Sequence, residues 1–326
     1  MQLDIKEELL KVFTKAKSEY VSGQFISEQL GCSRAAVWKH IEELRKMGYE
    51  IDAVRKKGYR IINNTESYSF ENILYGLETK YLGKNLHFYN QIESTQTLAS
   101  RLALDGAVEG TIVVANEQTK GRGRLQRQWF SEKNQSVMFS MILRPKLSIQ
   151  QTPQLTLVAA VALAQTLEKT NRVKPYIKWP NDLLLSNKKF AGILTELQGD
   201  ADGVAAVIIG IGINCNHTTD DIPQDLQEIA TSLRIESGDE WNRQELLQTF
   251  LVTFEKLYEK YISFGFLPIK VLWESYNNTL GKHIKASTTL ETLVGKAIGL
   301  EDDGALLLED DTGKIHRIYS ADISIN

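Results

Sequence analysis

Residues 22–62, SGQFISEQLGCSRAAVWKHIEELRKMGYEIDAVRKKGYRII, decide how the N-terminal part of the chain folds. Ser22 can cap a short helix ending near Leu30, with Gly31 as its stop. Ser33 can cap the next helix, whose apolar side is Val37, Ile41 and Leu44 and which ends near Gly48. Tyr49–Val54 and Tyr59–Ile62 then read as a hairpin around the basic turn Arg55-Lys56-Lys57-Gly58. Upstream, Ile5, Leu9, Val12, Phe13 and Ala16 fall on one helical face. Three helices followed by a two-stranded wing make a winged helix-turn-helix. The second helix of such a pair presents its N-terminal residues to the major groove. That leaves Ser33, Arg34, Trp38, Lys39 and His40 for the solvent or DNA side. Ser33 lies where helix amides can hold a phosphate, and Arg34 can read guanine through both arms of its fork. Arg55, Lys56 and Lys57 can neutralise backbone phosphates without reading sequence. The rival is a winged helix used only for protein contacts, with these charges as a solvated face. The agreement of helix, turn, cap and basic wing favours DNA, although a lone Trp such as Trp38 is more often packing than readout.

Working outward, 326 residues suit two or three domains. The 42% hydrophobic and 24% charged content is ordinary for a globular protein. No apolar run approaches the roughly 20 residues of a membrane helix. Met1–Leu10 carries Asp4, Glu7 and Glu8 among apolar residues, the pattern of an amphipathic helix and not of a secretory signal. Cys32 and Cys215 show no metal spacing and suggest no disulfide framework. The expectation is a cytoplasmic protein with no bound metal site of its own and no membrane partner. The net charge of −3 is uneven: residues 1–62 hold 12 basic and 9 acidic residues, so the remainder is acidic. That sign suits an N-terminal module that meets phosphate.

Asn63–Ser69 is polar and reads as a linker. Beyond it, strands are expected at His87–Gln91, Thr111–Glu117, Val137–Leu143, Tyr176–Trp179, Phe190–Gln198 and Val204–Ile213. Helices are expected at Gln96–Ala107, Thr152–Thr170, Arg243–Phe264 and Ile269–Asn277. Short turns between neighbouring strands argue for antiparallel pairing, giving an α+β domain with a mixed or antiparallel sheet and helices on one face. Residues 280–326 carry short strand patterns and turns, which fit a small β-barrel. The expected division is 1–64, 65–278 and 279–326.

Four segments of the central region can carry chemistry. Gln118-Thr-Lys-Gly-Arg-Gly-Arg124 ends in Trp129. Its glycines permit close backbone approach and expose amides. Its arginines offer planar forks for phosphate or carboxylate. It is neither a Walker loop nor a GxGxxG fingerprint, and alone it is equally a surface basic turn or an RNA contact. Lys178-Trp-Pro-Asn-Asp182 projects a lysine from a strand end, where it could offset charge as a carboxylate attacks phosphorus. An isolated lysine there is more often half of a surface ion pair. Ser94-Thr95-Gln96 can cap a helix or line a neutral polar pocket. The glycines of Gly210-Ile-Gly-Ile-Asn214 could leave room for a ligand or only for a neighbouring backbone.

In this order, with Ala191-Gly-Ile-Leu194 and the helix-turn-helix segment Gly31–His40, the set resembles the biotin–protein ligases. Specifically, it resembles the bifunctional class that doubles as the biotin operon repressor. The resemblance spans essentially the whole chain. It implies a C-terminal SH3-like barrel. It also implies that biotin and Mg2+-bound ATP yield biotinyl-5'-AMP and diphosphate, after which biotin passes to a lysine of a biotin carboxyl carrier protein. Ser94, Thr95, Gln96 and Gln118 would hold the ureido ring, with backbone help near Arg122 and Gly123. Arg122 and Arg124 would order the loop over the valerate and the phosphate. Lys178 would contact the carboxylate and the α-phosphate, and Asn214 would help hold the nucleotide. Trp129 would pack the loop, and the stretch His217–Ala230 would close over the adenylate. The adenylate-bound form would dimerise on operator DNA. Gln96 stands where the family more often has Asn, and Gln126 where many members have Gly.

Overall fold

The computed structural model describes the chain apart from residues 1–7, 10–11, 14–15, 17–18, 47–50, 62–67, 70–72, 75, 201–202, 289 and 326. Ile5, most of the expected linker and the expected helix end at Gly48 therefore lie outside the described residues. The chain divides into two compact units, residues 1–77 and 78–326.

In the first unit, α1 (Gly23–Leu30) and α2 (Arg34–Lys46) precede the antiparallel pair β1 (Ile51–Val54) and β2 (Gly58–Ile61). Ser22 Oγ accepts from the Phe25 amide at 3.1 Å, and Gly31 ends α1 at φ 60°. Ser33 Oγ accepts from the Ala36 amide at 3.2 Å, so it caps α2. Leu9, Phe13, Ile26, Val37, Ile41, Leu44, Ile51 and Ile61 form one apolar core. The wing is stitched to the chain before α1 by reciprocal Val21–Tyr59 backbone bonds of 2.8 and 2.9 Å. Gly58 is required by this closeness: at φ 109°, a Cβ there would lie 2.0 Å from the Val21 carbonyl oxygen.

The second unit is built on a seven-stranded sheet ordered β3-β4-β5-β9-β8-β7-β6. Its strands are β3 (Leu86–Tyr89), β4 (Ile112–Ala115), β5 (Ser136–Leu143), β6 (Tyr176–Lys178), β7 (Asp182–Leu185), β8 (Lys188–Asp200) and β9 (Gly203–Asn214). Only β3 and β4 run parallel; the other ladders are antiparallel. The helices are α3 (Thr95–Leu104), α4 (Thr152–Glu168), α5 (Leu233–Ser237), α6 (Arg243–Phe264) and α7 (Leu267–Tyr276).

The expectation of helices on one face is corrected. Ala99 and Ala103 of α3 pack with Ile142, Ala206 and Ile208. Phe250 of α6 meets Phe139 edge-on at 5.3 Å, and Thr156 of α4 bonds Thr195 at 2.7 Å. Phe139 and Ile142 differ in parity along β5, so they project from opposite faces. The reason lies in the strands themselves: all four residues of β4 and all eight of β5 are buried. A strand apolar on both sides needs cover on both sides.

The C-terminal segment forms an antiparallel sheet ordered β13-β12-β11-β10-β14. Its strands are β10 (His283–Ser287), β11 (Thr292–Leu300), β12 (Leu306–Glu309), β13 (Ile315–Ile318) and β14 (Asp322–Ile325). Among the described residues no ladder joins β13 to β14, so the five strands form an open antiparallel sheet without closure into a barrel. It docks on the central layer through Trp179 Nε1 to the Gly304 carbonyl (3.3 Å) and Gln154 Nε2 to the Asp302 carbonyl (2.9 Å).

Candidate active site

The ladder register sets three rows on the α3 face of the sheet: Met138–Gly212–Gly192, Ser140–Gly210–Leu194 and Ile142–Ile208–Glu196. Three glycines in adjoining positions leave a hollow. What approaches it is neither backbone nor empty space alone. A Cβ on Gly210 would stand 2.4 Å from Gln96 Oε1, and one on Gly212 would stand 2.5 Å from Cε2 of the Trp129 indole. Between these side chains lies a cavity of about 180 Å³.

The inner end of the cavity is neutral and fully hydrogen-bonded. Gln118 Oε1 accepts from the Thr95 amide at 2.7 Å and from its hydroxyl at 3.1 Å. The Thr95 and Ser140 hydroxyls are 2.9 Å apart, and Ser140 donates to Gln96 Oε1 at 3.0 Å. Gln96 Nε2 then donates to Glu196 at 3.0 Å and to the Ile208 carbonyl at 3.2 Å. Ser94 caps α3, its Oγ accepting from the Thr97 amide at 3.4 Å, while also lining the cavity. Both readings of that serine therefore hold at once.

The outer end is cationic. The Gly121–Trp129 loop is a tight hairpin, with Trp129 N to Gly121 O at 3.0 Å and Gly123 N to Arg127 O at 2.7 Å. Gly121 admits no Cβ, which would fall 2.8 Å from the Trp129 carbonyl. The Gly123 amide is engaged within the hairpin and is not exposed for a ligand. Arg122 approaches Glu196 at 3.4 Å, and its buried Nε has no partner among the described residues. Arg124 is held by neutral acceptors: Asn181 Oδ1 at 2.8 Å, Ser320 Oγ at 2.7 Å and the Ala321 carbonyl at 3.3 Å. Burial holds its pKa below the usual guanidinium value.

Of the residues expected to bind the small molecules, Ser94, Thr95, Gln96, Gln118, Arg122, Gly123 and Arg124 all line this one cavity. Lys178 does not line it. It stands in the β6–β7 ladder opposite Asp182, which does. Burial lowers its pKa, Asp182 and Asp322 oppose that, and Lys189 adds to it. Asn214 is also off the cavity, with its Nδ2 on the Thr231 carbonyl at 3.1 Å. The His217–Ala230 segment runs beside the site: Lys189 N bonds Ile229 O at 2.8 Å, and Lys188 Nζ bonds Gln227 O at 2.7 Å.

Sequence reasoning missed Lys189, whose ammonium is 2.6 Å from Asp182 and 5.6 Å from the Trp129 ring centroid. It looks like one half of a turn, Ser186-Asn-Lys-Lys189. Strand alternation gave no signal, since Lys189 and Gly192 are three residues apart and only the register shift between Lys189 and Ala191 in the β7–β8 ladder breaks that alternation. Asp322 was missed because only the fold brings β14 to Arg127, with which it pairs. Trp129 walls the cavity and packs the loop together.

In the first unit, Ser33, Arg34, Trp38 and Lys39 are exposed on α2 and His40 is half-buried. Arg55, Lys56 and Lys57 are exposed at the wing tip. Arg34, Arg55 and Lys56 line one groove between α2 and the wing.

Fold and site together define a ligase of the biotin and lipoate class carrying a helix-turn-helix module. Residues 88–214 match the biotin/lipoate A/B protein ligase family, 6–60 an HTH domain, and 279–325 the biotin protein ligase C-terminal domain. The chain is 50% identical to the bifunctional ligase/repressor BirA of Bacillus spizizenii, covering all of both chains. It is 31% identical to that of Escherichia coli over 91% of this chain and 90% of the relative. A biotin protein ligase of Aquifex aeolicus, solved with biotin and ATP, superposes with a TM-score of 0.65 at 34% identity, over 74% of this chain and 99% of that one. The chain belongs to the bifunctional ligase/repressor family of biotin–protein ligases.

Proposed function

We propose that this protein is an ATP-dependent biotin–protein ligase and a biotinyl-5'-AMP-responsive repressor of biotin genes. The observation that carries the catalytic half is the polarity of one cavity. Its inner wall offers hydroxyls and carboxamides, and its outer wall offers guanidinium and ammonium groups. A neutral cyclic urea with a carboxylate tail matches that gradient, because a neutral ring needs dipoles and a developing phosphorane needs cations.

The residues divide accordingly. Ser94, Thr95, Gln96 and Gln118 bind the ureido ring. Arg122, Gly123 and Arg124 form the loop over the carboxylate and phosphate. Lys178, one ladder position from the cavity wall, acts on the same anion as Lys189, and Asn214 anchors the segment beside the nucleotide. ATP brings Mg2+ with it. Among the described residues no cluster of His, Cys, Asp and Glu is arranged to hold a metal by itself. The carboxylate of biotin attacks the α-phosphorus, diphosphate leaves, and a lysine amine of the biotin carboxyl carrier protein of acetyl-CoA carboxylase takes the acyl group and releases AMP. The protein's part is to hold the two reactants in line, offset charge and exclude water from the mixed anhydride.

For the repressor half, Ser33, Arg34, Trp38, Lys39 and His40 face the operator, and Arg55, Lys56 and Lys57 its phosphates. The adenylate-bound protein acts as a homodimer, so that two wings meet a palindrome. The domain limits proposed are 1–64, 65–278 and 279–326, the last an SH3-like barrel, and the compartment is the cytoplasm. No helix among the described residues is long and apolar enough to cross a membrane.

Two assays test this reading. Biotin transfer to a carrier domain requires ATP, and Lys178→Ala and Lys189→Ala each slow adenylate formation. An unchanged rate in Lys178→Ala removes that residue from the mechanism. A gel shift on biotin-gene operator DNA tightens with biotin and ATP together. Equal affinity with and without them rejects the regulatory half.

A further inference from the structure

Gln96 is one of the two residues that depart from the family pattern, and Glu196 is a carboxylate that no motif singled out. They touch. Gln118, Thr95, Ser140, Gln96, Glu196 and Arg122 form one unbroken run of hydrogen bonds from the inner wall of the cavity to the cationic loop, with the Thr95 amide donating to Gln118 and its hydroxyl donating to Ser140. All but Glu196 line the cavity. Gln96 is fully engaged: its oxygen accepts from Ser140, and its nitrogen donates to Glu196 at 3.0 Å and to the Ile208 carbonyl at 3.2 Å. A ring ligand therefore meets Gln96 as a fixed wall above Gly210, whose missing Cβ makes room for it. The longer carboxamide has one methylene more than Asn, which extends its reach towards β8.

We propose that Glu196 is a positioning residue for the adenylation step, tying the wall that meets the ring of biotin to the arginine that meets its carboxylate. This rests on the ligase reading. One carboxylate serves two neighbours. It accepts from the Gln96 amide, which fixes the inner wall, and it takes the Arg122 fork at 3.4 Å through Nη2, which fixes the loop. Among the described residues Arg122 Nε is buried with no partner, so the guanidinium still has a donor to offer. The Arg122–Glu196 contact is long for a charged pair, whose bonds normally measure about 2.7–2.9 Å. It holds the fork in place yet competes weakly with an incoming carboxylate or phosphate.

The two contacts predict separable effects on kinetics. Glu196→Ala removes both: the KM for biotin rises at least fivefold and kcat for adenylation, read by pyrophosphate exchange, falls at least fivefold. Glu196→Gln keeps a carbonyl acceptor for Gln96 and removes the charge facing Arg122. It restores the KM for biotin to within twofold of wild type while kcat stays low. In a Gln96→Asn background the Glu196→Ala effect on KM disappears, because the link to the wall is already cut. Glu196 is half-exposed, and the isosteric Gln variant keeps the melting temperature of the wild type. Wild-type values of both parameters in Glu196→Ala overturn the proposal, as does a Gln variant no better than Ala in KM. Wild-type protein that forms no biotinyl-adenylate fails the ligase reading instead, and the same experiment distinguishes the two.

Discussion

Replacing Gly212 by alanine adds one methyl group to the middle of β9, where a Cβ would fall 2.5, 2.7 and 2.8 Å from Cε2, Cζ2 and Nε1 of Trp129. Two effects compete. Alanine in a strand interior is favoured over glycine by roughly 0.5–1 kcal/mol of backbone entropy. Overpacking a filled site costs about 1–3 kcal/mol. Three indole atoms inside 3 Å cannot be accommodated by a few tenths of an ångström, so the ring must leave. Trp129 is half-buried and sits on a loop, so it can swing outward, which places the cost in the lower half of the range. The net expectation is a loss of up to about 1.5 kcal/mol, or a fall of at most roughly 6 °C in the melting temperature of a domain this size. The displaced ring also unmakes one wall of the cavity, so the KM for biotin rises far more than the stability change implies. Calorimetry and pyrophosphate exchange read the two quantities. Trp129→Ala alone costs packing, but in the Gly212→Ala background it relieves the clash. The double mutant is therefore more stable than the sum of the singles by at least 0.5 kcal/mol, as expected of residues in contact. A Gly212→Ala protein as stable as wild type with an unchanged KM, or strict additivity with Trp129→Ala, refutes the reasoning.

Three further outcomes follow from other parts of the molecule. His217 is 1% exposed, and burial pushes its pKa down from 6.5 to about 4. The folded state thus favours the neutral ring, the associated stability is complete above pH 6.5, and it is lost as pH falls toward 4. At about 1.4 kcal/mol per pH unit the loss totals about 3 kcal/mol, and urea titrations of His217→Gln at pH 7 and pH 4.5 show it removed. Arg144 donates to the carbonyls of Ala103, Ala107 and Ala205 at 2.8–2.9 Å, closing the end of α3. Arg144→Met leaves those acceptors without their charged donor and costs about 2 kcal/mol by denaturant midpoint. Replacing Arg55, Lys56 and Lys57 by Ala makes the salt dependence of log K for duplex DNA shallower by about 2–3, at roughly 0.9 per phosphate contact, and weakens binding uniformly across sequences.

The helix-turn-helix was legible because every signal is local. Ser22 and Ser33 cap the helices they were expected to cap, and Val37, Ile41 and Leu44 are fully buried on one face. The central strands were legible for the same reason, apart from β7. Asp182–Leu185 hides inside a motif because Pro180 and Asn181 turn the chain after only three residues of β6. Its hairpin partner is reached through Ser186 and Asn187, both at positive φ, a two-residue turn that carries no glycine to announce it. The layer count was not legible from turn lengths. It was legible from the largely apolar runs of β4 and β5, in which Ser140 is the one polar residue inside β5, and which demand cover on both faces. Glu196 and Asp322 could not be found along the sequence, since each acquires its partner across 74 and 195 positions.

Charge decides which of these features bears most on function. Arg122, Arg124, Arg127 and Lys189 line one cavity of about 180 Å³. Arg127 pairs with Asp322 and Lys189 with Asp182, and Arg122 reaches Glu196 at a long 3.4 Å. Arg124 alone of the four has no carboxylate within 4.0 Å among the described residues; all its bonds go to neutral oxygens. A buried cation with no carboxylate in direct contact is unfavourable in the empty protein; burial depresses its pKa, and the more distant Asp322 and Asp182 only partly oppose that. The same arrangement becomes favourable when an anion enters, because the pair forms where water does not screen it. Neutral acceptors also fix the fork without neutralising it, so its full charge remains for the anion. A second carboxylate in place of Asn181 would make the resting protein more comfortable and the site worse. On the proposed ligase reading, the stability forgone at Arg124 is recovered only as negative charge collects at the phosphorus.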